Sequence, residues 1–193
     1  MKYIKQFEGY NTHYNIDWSY RILNILPELP DTLIRLDCSV NRLITLPDKL
    51  PDTLIKLDCS DNLLTVLPEL PKSLITLSCQ NNKLTKLPKL PDSLKNLYCD
   101  NNIIPFYKYN KLIELPELPK SLITLSCQNN KLIKLPELPD TLIKLDCSNN
   151  NLTELPKLPK SLITLNCQNN KLPYRSLRGY KNWVRLQKKL AKI

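Results

Sequence analysis

Lys120-Ser-Leu-Ile-Thr-Leu-Ser-Cys-Gln-Asn-Asn-Lys-Leu132 recurs letter for letter at Lys72 to Leu84, and with a single change at Lys160 to Leu172. Aligning the other copies on it gives L-x-x-L-x-C-x-x-N-x-(L/I), usually followed by x-x-L-P-x-L-P. Cysteines fall at 38, 59, 79, 99, 127, 147 and 167, spaced by 21, 20, 20, 28, 20 and 20 residues, and an asparagine stands three residues after each. A fixed period of that length marks a solenoid, because one such unit cannot bury its apolar face alone and must stack on its neighbours. The 193 residues are therefore expected to form a single elongated array whose length reflects copy number.

Within a copy such as Asp52 to Pro71, Leu54, Leu57 and Cys59 are expected to point inward from a short strand. Asn62 closes the turn, and Leu64 and Leu67 fill the space behind it. The asparagine side chain carries both a donor and an acceptor, so it can satisfy backbone groups in its own turn and in the next. Asn41, Asn62, Asn82, Asn102, Asn130, Asn150 and Asn170 would form that ladder. The Leu-Pro-x-Leu-Pro segments hold fourteen of the sixteen prolines. Prolines three apart forbid a regular helix and favour an extended, polyproline-like return.

These residues resemble the leucine-rich repeat. Leu67-Pro-Glu-Leu-Pro and Leu135-Pro-Glu-Leu-Pro are similar to the short bacterial repeats of the YopM and IpaH effector class, and Leu145-Asp-Cys-Ser-Asn-Asn is similar to repeat proteins of giant DNA viruses. The resemblance covers residues 26–172 and implies an α/β leucine-rich repeat solenoid with a parallel β-sheet on the concave face, an extended convex side and short helical caps. It also implies protein–protein interaction as the function. The ubiquitin-ligase activity of the IpaH enzymes does not carry over, since residues 173–193 are too few for that domain and contain no cysteine.

Composition narrows the chemistry further. Gly9 and Gly179 are the only glycines, so no Gly-rich phosphate loop or nucleophile elbow can be written. His13 stands outside the repeats, and every cysteine occupies an apolar core position. Stacked about 4.8 Å apart with parallel Cβ vectors, the cysteines are poorly placed for disulfides or a tetrahedral metal site. They read as buried free thiols suited to a reducing compartment. No enzyme, metal, cofactor or small-molecule substrate is expected. No apolar run is long enough to span a bilayer, and Met1 to Glu8 lacks the apolar core of a secretory signal. The expected location is the cytoplasm, that of a host cell for a viral or effector protein.

Residues 1–25 do not repeat and carry six of the thirteen aromatics, which reads as an N-terminal cap for the open end of the array. The spacing of 28 between Cys99 and Cys127 places an eight-residue insertion at about residues 104–111. Asn102 keeps the spacing of three after the cysteine, while Asn110-Lys-Leu112 imitates the usual Asn-Lys-Leu. After Leu172 the repeat stops, and residues 171–193 contribute +8 of the net +10 with no acidic residue. Trp183, Leu186, Leu190 and Ile193 fall on one helical stripe, so residues 173–193 read as a basic helical C-terminal cap. Arg178, Lys181, Arg185, Lys188, Lys189 and Lys192 could also bind an anionic partner, nucleic acid or a membrane surface.

The residues flanking the central strand leucine are expected on the concave face. Arg35 with Asp37, Lys56 with Asp58, and Lys144 with Asp146 are neighbouring basic–acidic pairs, which argues against a phosphate track there. Asn96 and Tyr98 break the pattern, Tyr98 being the only aromatic at a regular repeat position. Phe106, Tyr107 and Tyr109 follow in the insertion. Exposed together, these aromatics would form the centre of a protein interface; folded down, they would plug the insertion.

Overall fold

The computed structural model describes residues 14–100 and 112–190. Eight three-residue strands follow one another: β1 (Asn15–Asp17), β2 (Arg35–Asp37), β3 (Lys56–Asp58), β4 (Thr76–Ser78), β5 (Asn96–Tyr98), β6 (Thr124–Ser126), β7 (Lys144–Asp146) and β8 (Thr164–Asn166). One helix, α1 (Leu177–Leu190), closes the order. The strands form one sheet in sequence order, every pair parallel and in the register set by the repeat, Leu36 opposite Leu57 and Leu57 opposite Leu77. Each turn of chain therefore adds one strand, as the period requires.

The core is the leucine set named by the pattern. Leu54, Leu57, Leu74, Leu77, Leu94 and Leu97 are wholly buried, and the leucine two places after the ladder asparagine, Leu64 or Leu84, is buried with them. Burying each side chain contributes on the order of 2 kcal/mol. All seven cysteines are free and buried in the column expected of them. Their thiols also act as donors, Cys38 Sγ to the Asp58 carbonyl at 3.3 Å and Cys59 Sγ to the Ser78 carbonyl at 3.4 Å. Burial pushes the Cys38 thiol up to about 12, and it lifts Cys59, Cys99 and Cys127 well above the ordinary range.

The asparagine ladder forms as the side-chain chemistry dictates. Asn82 Nδ2 donates to the carbonyls of Cys59, Cys79 and Gln80, and its Oδ1 accepts from the Leu64 N–H at 3.0 Å. Asn41, Asn62, Asn130, Asn150 and Asn170 repeat the arrangement. The ladder residue of the fifth strand's turn, Asn102 or Asn110, lies outside the described residues, as does the insertion at 104–111. The array resumes at Leu112, whose N–H donates to Asn130 Oδ1 as Leu64 does to Asn82.

Two regularities escape a reading of the letters. A second ladder runs along the hydroxyls after each Leu-Pro-x-Leu-Pro segment, with Ser73, Ser93, Ser121, Thr141 and Ser161 each donating to a leucine carbonyl one turn back. Among the described residues, the one before each ladder asparagine is left-handed: Val40, Asp61, Asn81, Asn129, Asn149 and Asn169 all have φ between 52° and 57°. Asparagine and aspartate tolerate that conformation, whereas β-branched Val40 is strained in it.

The ends differ. Tyr14 to Leu23, read as part of a non-repeating segment, takes the path of a repeat: β1 pairs with β2, Ile16 fills the leucine position opposite Leu36, and Trp18 N–H donates to the Asp37 carbonyl as Cys38 N–H does to Asp58. At the other end, the chain after Leu172 doubles back beside β8, where Cys167 N–H donates to the Arg175 carbonyl and Asn166 and Ser176 form an antiparallel bridge. Tyr174 is buried against this end, with Tyr180 edge-on at 5.1 Å and Trp183 at 5.5 Å between ring centroids. Burial pushes the Tyr174 phenol up to about 12, with the neighbouring Tyr180 adding to the shift.

The expected apolar stripe does not dock as a whole. Leu177, Tyr180 and Trp183 pack against the core, but Leu186 and Leu190 are exposed, because the array ends before the helix does. Gly179 lets α1 approach, since a Cβ there would lie 3.3 Å from Tyr174 Cβ. No helix among the described residues is long and apolar enough to cross a membrane.

Candidate interaction face

In each three-residue strand the central residue, leucine or in β1 Ile16, turns into the core and its two neighbours lie on the opposite face, where Ser78 is itself buried, a direct result of the twofold alternation of side chains. Parallel in-register stacking then carries each outward position into a column across the sheet. Arg35 stands beside Lys56, and Asp17, Asp37 and Asp58 follow one another. Charges that alternate along the chain are thus sorted by sign across it.

The acids bind serines, not their basic neighbours. Asp17, Asp37, Asp58 and Asp146 each accept from the hydroxyl and the N–H of the serine two residues on, with Oδ1 to Oγ distances of 2.6–2.7 Å. The salt bridge found among the described residues, Lys49 to Asp52, lies on the return side and is fully solvated. Burial raises the Asp58 carboxyl above its usual range, and the Asp37 charge adds to this while the Ser60 bonds oppose it. At exposed Asp17 the Ser19 bonds dominate and the shift is downward.

The middle of the face is uncharged. β4, β5 and β6 present Thr76 and Ser78, Asn96 and Tyr98, Thr124 and Ser126. Tyr98 is half-buried between the Ser78 and Ser126 positions, and Asn96 Nδ2 donates to Thr76 Oγ1 at 3.3 Å. In the strand beside Tyr98, Ser126 Oγ lies 3.1 Å from the buried Asp100 carboxylate and 2.6 Å from Gln128 Oε1. Burial raises the Asp100 carboxyl, against the Ser126 hydrogen bond. One aromatic residue thus stands in register between two serines. Arg35, Asp37, Lys56 and Asp58 flank it on one side, and Lys144 and Asp146 on the other.

Phe106, Tyr107 and Tyr109 lie outside the described residues, so of the aromatic group only Tyr98 is placed. Arg178, Lys181, Arg185, Lys188 and Lys189 are exposed on α1, at the β8 end and away from Tyr98, while Lys192 lies outside the described residues. The sequence reading missed Asp100 and Gln128, although Asp100 is the one acid at a position that serine or glutamine fills after every other repeat cysteine. A solvent-open cleft of about 700 Å³ separates the return segments of the first two turns, between Leu26-Pro27 and Leu46-Pro47. The second of these returns carries one residue more than the others, Leu46-Pro-Asp-Lys-Leu-Pro51. No group of three or more metal-ligating side chains occurs among the described residues.

No family model and no curated protein sequence matches the chain. Solved structures do. A Shigella effector leucine-rich repeat domain is 32% identical with a TM-score of 0.68, the match covering 90% of this chain and 76% of that one. YopM from Yersinia pestis, described as a leucine-rich effector protein, is 39% identical with a TM-score of 0.56, covering 78% of this chain and 47% of that one. YopM from Yersinia enterocolitica WA-314 is 36% identical with a TM-score of 0.43, covering 79% of this chain and 41% of that one. The chain thus spans less than half the length of the YopM proteins it matches.

Proposed function

Because the chain belongs to the leucine-rich repeat proteins of the YopM and IpaH effector type, we propose that it is a non-catalytic module that binds a partner protein on its sheet face, around Tyr98. The observation that carries this reading is the division of labour in each strand. The leucines, cysteines and asparagines are consumed by packing and hydrogen bonding, while the outward residues form a broad, preformed polar surface with a single aromatic at its middle. A half-buried tyrosine ringed by small polar side chains offers contact area at low entropic cost, the usual composition of an interface centre.

Catalysis finds little support. A nucleophilic cysteine needs a stabilised thiolate in reach of solvent, and these thiols are buried and shifted the other way. By analogy with the effector relatives, the setting we propose is the cytoplasm of a host cell, for a bacterial or viral product.

The test is affinity capture from host-cell lysate with the full chain and two variants. Tyr98→Ala should weaken a captured partner by a factor of about 30, the cost of an interface-centre residue near 2 kcal/mol. Lys86→Glu, in a return segment, should retain it. Equal retention by both, or loss only with Lys86→Glu, would remove the sheet face from the reading.

A further inference from the structure

We propose that the outer half of α1 is a lipid-surface element, which lays Leu186 and Leu190 into an anionic membrane while its basic residues meet the headgroups. The helix has two unlike halves. Tyr180 and Trp183 hold its first turns to Tyr174 at the end of the array. Past Trp183 the helix runs beyond the core, leaving Leu186 and Leu190 with 53% and 55% of their surface in water. Four residues apart, they lie one above the other on a single face. Arg178, Lys181, Arg185, Lys188 and Lys189 are exposed and fall in a separate sector of the same helix, and no acidic residue occurs from 171 to 193.

The two features together choose the occupant. A polyanion such as RNA would use the cations and leave both leucines in water. An apolar groove on a protein would cover the leucines but leave five like charges crowded at its rim. An anionic bilayer answers both: apolar side chains sink to the boundary of the acyl region while lysine and arginine stems reach the phosphates. The +8 carried by residues 171–193, against the near-neutral remainder, concentrates the attraction at one end of the array. α1 adjoins β8, so Tyr98 and the middle of the sheet stay outside such a contact. The inference stands apart from whatever the sheet face binds.

The experiment is co-sedimentation of the full chain with phosphatidylcholine vesicles, with and without about 30 mol% phosphatidylserine. Binding should require phosphatidylserine and weaken as salt is raised. Leu186→Ser with Leu190→Ser should cut partitioning by about tenfold, and Lys188→Glu with Lys189→Glu by at least as much. All four positions are exposed, and circular dichroism of each variant verifies that the array and helix persist. Failure of the wild-type chain to bind phosphatidylserine vesicles overturns the proposal. So does full binding by the double leucine variant, which would mean that charge alone acts. An RNA of about 30 nucleotides serves as the competing probe; retention of RNA by the leucine variant without vesicle binding by the wild type would reassign α1 to nucleic acid.

Discussion

The turn around β3 and the turn around β1 follow one path with different letters. The first has Cys59 and Asn62 at its two diagnostic positions; the second has Trp18 and Arg21. The weaker turn is held by its neighbour. Asn41, which belongs to the next turn, accepts from the N–H groups of Arg21 and Leu23 and donates to the Trp18 carbonyl. Each ladder asparagine bonds the turn behind it as well as its own, so a turn that lacks the consensus asparagine can be held by the one beside it.

The largest effect is expected where the ladder is most enclosed. Asn82→Ala removes a wholly buried amide and strands the Leu64 N–H and the carbonyls it served. Denaturant unfolding should show a loss of about 3 kcal/mol. Asn41→Ala, at a half-buried position, should cost nearer 1 kcal/mol. Its mark should be local: native-state hydrogen exchange should speed at Arg21 and Leu23 and stay unchanged around Leu64. Equal exchange at both sites would refute the idea that the first turn is held from behind.

Val40→Asn moves the second turn toward the others. It places a residue tolerant of the left-handed region where valine has φ of 52°, and a gain of about 1 kcal/mol is expected in thermal unfolding. Asp58→Asn is the mildest change. Asn166 already fills this place in the last strand, and the new Oδ1 can still accept from Ser60. The raised carboxyl of Asp58 favours folding fully below the unfolded-state value of about 3.9, and that contribution is lost as pH rises through the folded-state value. The variant should therefore melt higher than the parent at pH 7 and converge with it below pH 4, as followed by circular dichroism across that range.

The apolar skeleton was legible because burial demands particular side chains at fixed intervals: leucine, cysteine and asparagine name their own positions. The hydroxyl ladder was not, since Ser73 and Thr141 sit among charged residues and look like solvent-facing loop. The left-handed positions were hidden for want of glycine, with asparagine, aspartate and valine in its place. Of the first turn only the rear half, Leu23 to Pro30, was legible as a degenerate repeat; its strand half carries Trp18 and Arg21 at the diagnostic positions and takes its hydrogen bonds from Asn41. On the sheet face, Tyr98 and the charged pairs stand at the outward positions assigned to them, but the sorting of charge into columns depends on register between turns. A pair such as Arg35 and Asp37, taken along the chain, gives no sign of it.

The antiparallel bridge between Asn166 and Ser176 bears on how separate molecules meet. A coil that templates its own next turn could also receive the first turn of another copy, and so grow end to end into a filament. By reversing direction beside β8, the chain spends the Cys167 N–H on Arg175 and places one antiparallel bridge on the edge that a further parallel turn would use. Four residues, Asn166, Cys167, Arg175 and Ser176, thus give the β8 edge a pairing of opposite polarity to the seven parallel pairings before it.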